Sequence, residues 1–440
     1  MCCLISLAIP AFAVCVGRAA VAALALPFLL VYAILVERKV VADAQARLGS
    51  ARTYASGLLQ PIVNSVKLVL REITAPAATN RRTLWIAPLI SVAIAVLAYS
   101  VVSVGPAFRI ADVNVGLVFI FGVGSLGIYG MFLTGWTSQG RDGMLEALRG
   151  GAQLASYGTP SGLALISALT LAGSLSMTEI VQAQLDRGQW FVFYVPVGFF
   201  IYFIASLVAA NLAPFDVLEN TSIVVDAPNA ESEGLRRSLY FFAEHSNSVI
   251  AAAVATTVFL GGWLRPLASY RDHFPGTNVE LLDVIPGAAA IVASMYCLKL
   301  APKQPTEIQR RAIRSLGLVC MAAAAALVGV LFAPDSVTQA IHGAFWFLLK
   351  VGAYIYCFSW IRLTFPRYDF DELMSLAWNI LIPLAFVNMV TGALAIVASQ
   401  NLGLPMRLTT LIATALTVAA GVWFLNASDS RAAAQVADGE

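Results

Sequence analysis

The chain has 440 residues, 59% of them hydrophobic and only 12% charged, with a mean hydropathy of +0.79. Soluble domains carry roughly 25% charged residues, so this composition excludes an ordinary soluble enzyme and points to a membrane protein. A net charge of +2 argues against a nucleic-acid partner.

The pattern predicts an all-α, polytopic transmembrane helical bundle: apolar runs of about 20 residues recur, and the period-2 alternation of a barrel strand is absent. The first run, Leu4 to Val36, lacks a basic start and carries Arg38–Lys39 on its far side, which does not suit a secretory signal. Arg18 interrupts it, so the spanning part is taken as 18–36. Further spans are expected at 85–104, 114–136, 160–178, 191–211, 247–265, 284–301, 315–333, 341–363, 375–399 and 406–425, about eleven in all. The whole chain reads as one integral membrane domain.

If 37–84 faces the cytoplasm, the inside loops are 37–84, 137–159, 212–246, 302–314, 364–374 and the tail. With Lys299 and Arg362 at helix ends these hold 20 of the 27 Lys and Arg, whereas the outside loops hold Arg109, Arg187, Arg265, Arg271 and Arg407. The positive-inside rule then fixes the orientation. Within 37–84, Leu58, Leu59, Ile62, Val63, Val66, Leu68 and Leu70 interleave with Gln60, Lys67, Arg71 and Glu72, the pattern of an interfacial helix. Residues 426–440 are Ala- and Asp-rich and are expected to be a disordered tail.

Six cysteines (Cys2, Cys3, Cys15, Cys297, Cys320, Cys357) show no C-x-x-C spacing, and the histidines number three (His245, His273, His342). Neither an iron–sulfur cluster nor a structural zinc is supported, and no redox centre is expected on this chain alone.

Ionisable groups at membrane depth cost ~2.5–3.5 kcal/mol on insertion scales, so each is a functional hypothesis by default. Lys350, between Trp346 and Trp360, is the clearest case; the alternative is a lysine paired with a neighbouring helix for packing. Glu244 is placed at the opening of the sixth span, where a helix N-terminus favours its charge; a snorkelling end-of-helix carboxylate is the plainer reading. The loop beginning Ala213-Pro214-Phe215-Asp216 carries Asp216, Glu219, Asp226, Glu231 and Glu233. That cluster is either a solvated face or a set of coupled carboxylates able to take up protons.

Five blocks resemble a known family in order. Glu37-Arg38-Lys39 with Gln45, Arg47, Gly49, Arg52, Gly57, Leu59-Gln60-Pro61, Lys67 and Glu72 forms the first. The second is Gly127-Ile128-Tyr129-Gly130 with Gly135-Trp136. Arg149-Gly150-Gly151-Ala152-Gln153 with Ser156-Tyr157 is the third. The fourth is Ala213-Pro214-Phe215-Asp216 with Glu219, Glu231, Ala243-Glu244 and Asn247. The fifth runs Trp360-Ile361-Arg362, Pro366-Arg367, Asp371, Leu373-Met374, Trp378 and Leu381-Ile382-Pro383. Together they resemble the quinone-site membrane subunit of bacterial NADH:quinone oxidoreductase, respiratory complex I.

The resemblance implies a translocase component in the bacterial inner membrane, with quinone as substrate and an iron–sulfur cluster held by a neighbouring peripheral protein. The implied partners are the other membrane and peripheral subunits, together with membrane lipid. It implies that Glu37, Arg38, Arg47, Gln60, Lys67, Glu72, Asp216 and Glu219 line the quinone chamber. Glu231, Glu244, Lys350, Arg362 and Arg367 would then supply the electrostatics of a proton path.

Departures from the family pattern are equally specific. Gly158 stands where family members carry glutamate, and Thr221 and Ile223 replace two loop glutamates. Ala209 and Leu212 replace the first and last residues of E-x-N-R, Asn64 replaces an aspartate and Asn379 a lysine, and 49–55 has lost the G-P-N-R-V-G-P loop. Because glycine and leucine cannot titrate, the expectation is a divergent member with weakened proton coupling. Residues 284–333 read as an inserted helix pair, and 406–425 as an extra C-terminal span. The homologous membrane subunit of an energy-converting hydrogenase or formate hydrogenlyase is the alternative, and a secondary transporter the more distant one.

Overall fold

The structure is a computed structural model. It describes residues 33–42, 44–46, 60–70, 81–105, 113–137, 141–211, 235–266, 281–300, 335–403 and 405–438, with a few single positions between them. Among the described residues there are helices and no strands. They are α1 Gln60–Val69, α2 Arg81–Val101, α3 Gly116–Ser125, α4 Gly127–Thr137, α5 Arg141–Ala172, α6 Met177–Asp186, α7 Pro196–Ala209, α8 Leu235–Val258, α9 Leu281–Leu300, α10 Asp335–Thr364, α11 Phe370–Ser375, α12 Ile382–Leu402 and α13 Met406–Asp438. Residues 33–42 are also helical, and a π-helical segment, Leu376–Leu381, joins α11 to α12.

Among these, three stretches are long and apolar enough to cross a bilayer by themselves: Ile341–Thr364, Phe370–Leu402 and Met406–Phe424. The pair Ala147–Ala172 and Met177–Asp186, bent by 55°, makes a fourth if taken as one span. Shorter apolar helices occur at Trp85–Val101, Gly116–Gly130, Pro196–Ala209 and Gly287–Tyr296. Polar side chains are turned inward while large apolar ones face out. Gln153, Ser167, Thr256, Thr257 and Asn388 are buried, whereas Phe200, Leu394, Leu411, Leu416 and Trp423 are exposed. In water that arrangement would leave a large sticky surface; in lipid it satisfies both faces.

Two expectations are corrected. Residues 137–159 are not a loop, because α5 begins at Arg141; its first turns are too rich in charge for a hydropathy window yet keep a helical apolar stripe. Glu244 does not open its span, since α8 starts at Leu235 and the carboxylate lies in its third turn, beyond the reach of the N-terminal dipole. The described helix α13 continues to Asp438, into the stretch expected as a tail, where Ala432, Ala433 and Ala434 sustain helical propensity.

The chain divides into two compact units. One comprises Met1–Arg71, Ser103–Ala111 and Gly262–Leu363. In it Gly343 of α10 lies against the Trp263 side chain, and Ser294 of α9 donates to the Gly317 carbonyl at 2.8 Å.

The other comprises Glu72–Val102, Asp112–Gly261 and Thr364–Glu440. Its centre is the packing of α5 on α7 and α12, built on small residues that let backbones approach: Ala164 and Ala168 of α5 and Ala205 of α7 are fully buried. Asn388 Nδ2 donates to Ser167 Oγ at 3.0 Å, tying α12 to α5, and Ser167 in turn donates to the Ala164 carbonyl. Gly198 sits at this crossing, where a Cβ would meet Ser167 Oγ and Val195 Cγ1 at 2.9 Å and Asn388 Nδ2 at 3.0 Å. Gly198→Leu is therefore expected to destabilise the protein by about 1–3 kcal/mol or more through overpacking. The check is a lower midpoint in a detergent thermal-unfolding assay; an unchanged midpoint would mean the helices can part freely here.

Candidate functional site

Residues that lie far apart in sequence come together at the motifs. In the first unit, Glu37 forms an ion pair with Arg362 in the last turn of α10, joining the first sequence block to the fifth. Glu37 is mostly buried and Arg362 half-exposed, so the pair orients two elements more than it stabilises them: exposed pairs contribute ~0.2–1 kcal/mol. Arg38 is exposed beside it.

Lys350, 7% exposed in the middle of α10, donates from Nζ to the carbonyls of Gly262, at 3.0 Å, and Leu264. The carbonyls are presented by a turn that glycine makes possible, with φ of 76° at Gly261 and 54° at Gly262. An ammonium held by backbone oxygens is a permitted way to keep a charge at membrane depth.

Other expected site residues are more dispersed. Gln60 Nε2 donates to Asn64 Oδ1 at 3.1 Å within α1, whose Val63, Val66 and Leu70 are exposed beside Lys67. An apolar stripe next to a lysine on a ten-residue helix suits an interfacial position. Glu244 is half-buried in α8, and Arg367 is exposed between α10 and α11. Arg47, Glu72, Asp216, Glu219 and Glu231 lie outside the described residues, as do Thr221 and Ile223.

In the second unit, the N-terminal half of α5 fastens two loops. The guanidinium of Arg149 lies 5.9 Å from the centre of the Phe370 ring. Gln153, fully buried, donates to the carbonyls of Val208 at 3.2 Å and Phe215 at 3.1 Å. Ser156 accepts from the indole N–H of Trp378 at 3.2 Å, and the Tyr157 hydroxyl donates to the Leu373 carbonyl at 2.8 Å. Phe215 also stacks on Tyr368, with 5.4 Å between ring centres. The third, fourth and fifth sequence blocks therefore touch one another.

Sequence reasoning singles these residues out as a family likeness but misses their work as a clasp. The available signal is the spacing of 149, 153, 156 and 157, which puts four polar or aromatic groups on neighbouring turns of one apolar helix. Removing the Tyr157 hydroxyl leaves the Leu373 carbonyl without that donor, so Tyr157→Phe is expected to loosen α11 by about 1–2 kcal/mol. Faster amide exchange over 370–378 would register it; unchanged exchange would show that the clasp does not depend on this bond.

The second unit also encloses a cavity of about 510 Å³ at the depth of the middle of α5 and α8. Gly158 lines it, and a Cβ at Gly158 would meet nothing within 4 Å. Tyr202, Ser206 and Asn247 share the wall. Among the described residues no group of three His, Cys, Asp or Glu side chains converges as a metal site would require.

The family model described as NADH dehydrogenase matches residues 18–393. The chain belongs to the NADH dehydrogenase family. Among the curated relatives of this family, an NADH-quinone oxidoreductase subunit of Solibacter usitatus (strain Ellin6076) is 39% identical over 373 residues, 84% of this chain and 93% of its own. Its counterpart of the same name in Koribacter versatilis (strain Ellin345) is 34% identical over 372 residues, 82% of this chain and 86% of its own. The NADH dehydrogenase match takes in all five blocks and both the Glu37–Arg362 pair and the α5 clasp. It ends before α13, which begins at Met406.

Proposed function

We propose that this chain is the membrane subunit of a proton-translocating NADH:quinone oxidoreductase, where it forms the wall of the quinone chamber facing the peripheral arm. The observation that carries the reading is likeness over most of the chain's length to proteins named as NADH-quinone oxidoreductase subunits, with the resembling blocks meeting in space at Glu37–Arg362 and along α5. In this reading about eleven spans cross the bacterial inner membrane, with the long basic connections and the C-terminus in the cytoplasm. The chain binds no cofactor of its own; quinone is the substrate, and electrons arrive from an iron–sulfur cluster in a peripheral partner.

The chain's own residues then have distinct tasks. Glu37, Arg38, Arg47, Gln60, Lys67, Glu72, Asp216 and Glu219 shape and charge the chamber. Glu231, Glu244, Lys350, Arg362 and Arg367 respond to the charge change that accompanies quinone reduction. Proton coupling is weakened, because Gly158, Thr221 and Ile223 offer no titratable group.

Purification through an affinity tag on this chain tests the assignment. The expected result is a multi-component complex that contains a flavin- and iron–sulfur-bearing NADH module and reduces a short-chain quinone with NADH. Recovery with a nickel hydrogenase module and no NADH-driven quinone reduction would overturn it.

A further inference from the structure

The cavity in the second unit has a lining that selects for one kind of ligand. Of its twenty lining residues fourteen are apolar or glycine, and none is Asp, Glu, Lys, Arg or His. The five hydroxyls on its wall have each committed their proton to a backbone carbonyl. Ser125 donates to Gly122, Thr159 to Ala155, Ser161 to Gly158, Tyr202 to Ala251 and Ser206 to Phe203, at distances of 2.8 to 3.3 Å. What remains of these groups is acceptor lone pairs.

Asn247 is different. It lies midway along α8, is exposed into this space, and makes no hydrogen bond to any described residue. A bare primary amide at membrane depth costs several kcal/mol, roughly 2–7 depending on reference state, unless a partner reaches it. A volume of about 510 Å³ falls in the range of small-molecule sites, about 300–1,000 Å³.

We propose that this cavity is a binding site for an uncharged long-chain amphiphile with a hydroxyl head, its head on Asn247 and its chain along the apolar wall. Absence of any lining charge disfavours a carboxylate, a phosphate or an ammonium head. Acceptor-rich polar groups favour a ligand that brings its own O–H donor: it donates to the Asn247 carbonyl or a wall hydroxyl oxygen and accepts from the Asn247 amide. A quinone ring presents acceptors alone, so this site is separate in chemistry from the proposed electron acceptor and does not rest on that assignment.

The test uses the intact complex purified through the tagged chain, with a long-chain alcohol bearing a photoactivatable group on its chain. Adducts are expected on peptides covering 154–161 and 247–254. An excess of unlabelled alcohol should compete them away, whereas the carboxylate of the same length should not. Gly158→Phe puts a ring where a side chain meets no neighbour, and is expected to abolish these adducts while labelling near exposed Leu394 and Leu411 persists.

Asn247→Leu keeps the approximate size and removes the amide. It should raise the half-competing alcohol concentration by about tenfold, the effect of one net hydrogen bond. Equal competition by alcohol and carboxylate, or undiminished labelling in both variants, would overturn the proposal. So would rapid reaction of a cysteine placed at Ser161 with a charged thiol reagent, unprotected by the alcohol, since that marks a water-filled space.

Discussion

Lys350→Met is expected to assemble at close to the normal level and to lose most of the proton translocation that accompanies electron transfer. Two opposing quantities lead to this. Hydrogen bonds from an ionised group contribute about 1.5–3 kcal/mol each, and Lys350 makes two, to Gly262 and Leu264. Holding the ammonium at membrane depth costs ~2.5–3.5 kcal/mol, which the substitution removes. These offset to within ~1–2 kcal/mol, so stability should move little and a change in coupling would report the charge itself. Proton-to-electron stoichiometry in reconstituted vesicles, beside the unfolding midpoint, separates the possibilities. Full coupling with a midpoint lowered by many degrees would reduce Lys350 to a packing residue. Lys350→Glu sharpens the contrast: it faces carboxylate oxygens with two carbonyls and should remove the complex from membranes, an outcome in the class of buried unpaired charges.

The membrane character, the helical class and the long-range partners were legible in different degrees. Spans such as α2, α9, α10 and α12 follow from runs of apolar residues, which lipid forces into helices because it offers the backbone no other partner. The N-terminal half of α5 was not legible that way, since Arg141, Asp142, Glu146 and Arg149 lower its hydropathy while its helical stripe survives. Glu244 misled for a related reason: hydropathy rises only after Asn247, although the helix has already run from Leu235. The breaks were hidden too. Expected span 114–136 is divided at Leu126 into α3 and α4, and the stretch 370–402 contains a π-helical segment around Trp378, neither of which alters composition.

At the site, residue types could be picked out but not their pairings. Glu37 and Arg362 were both singled out, and yet nothing in the local pattern links positions 325 residues apart. Gln153 stood in a recognised block, whereas its two acceptors are backbone carbonyls, which carry no residue identity that a sequence could advertise. Lys350 is the same case: a search for a carboxylate partner along the sequence overlooks the glycine turn that holds it.

Gly158→Glu, alone and with Thr221→Glu, is expected to raise the number of protons moved per electron pair. Three observations make the single change informative. Nothing lies within 4 Å of a Cβ at Gly158, so the side chain enters open space instead of displacing a neighbour. The cavity it enters has no charged or imidazole lining group, so any new titration there belongs to the introduced carboxyl. Hydroxyl oxygens of Ser161, Tyr202 and Ser206 line the same wall and can accept from a protonated acid, which spares it the isolation that makes buried carboxyls costly. Gly158→Gln has the same shape and cannot exchange a proton. If both variants raise the stoichiometry equally, packing and not titration is responsible; if neither does, weakened coupling does not originate at this position, and the missing loop glutamates at Thr221 and Ile223 become the place to look.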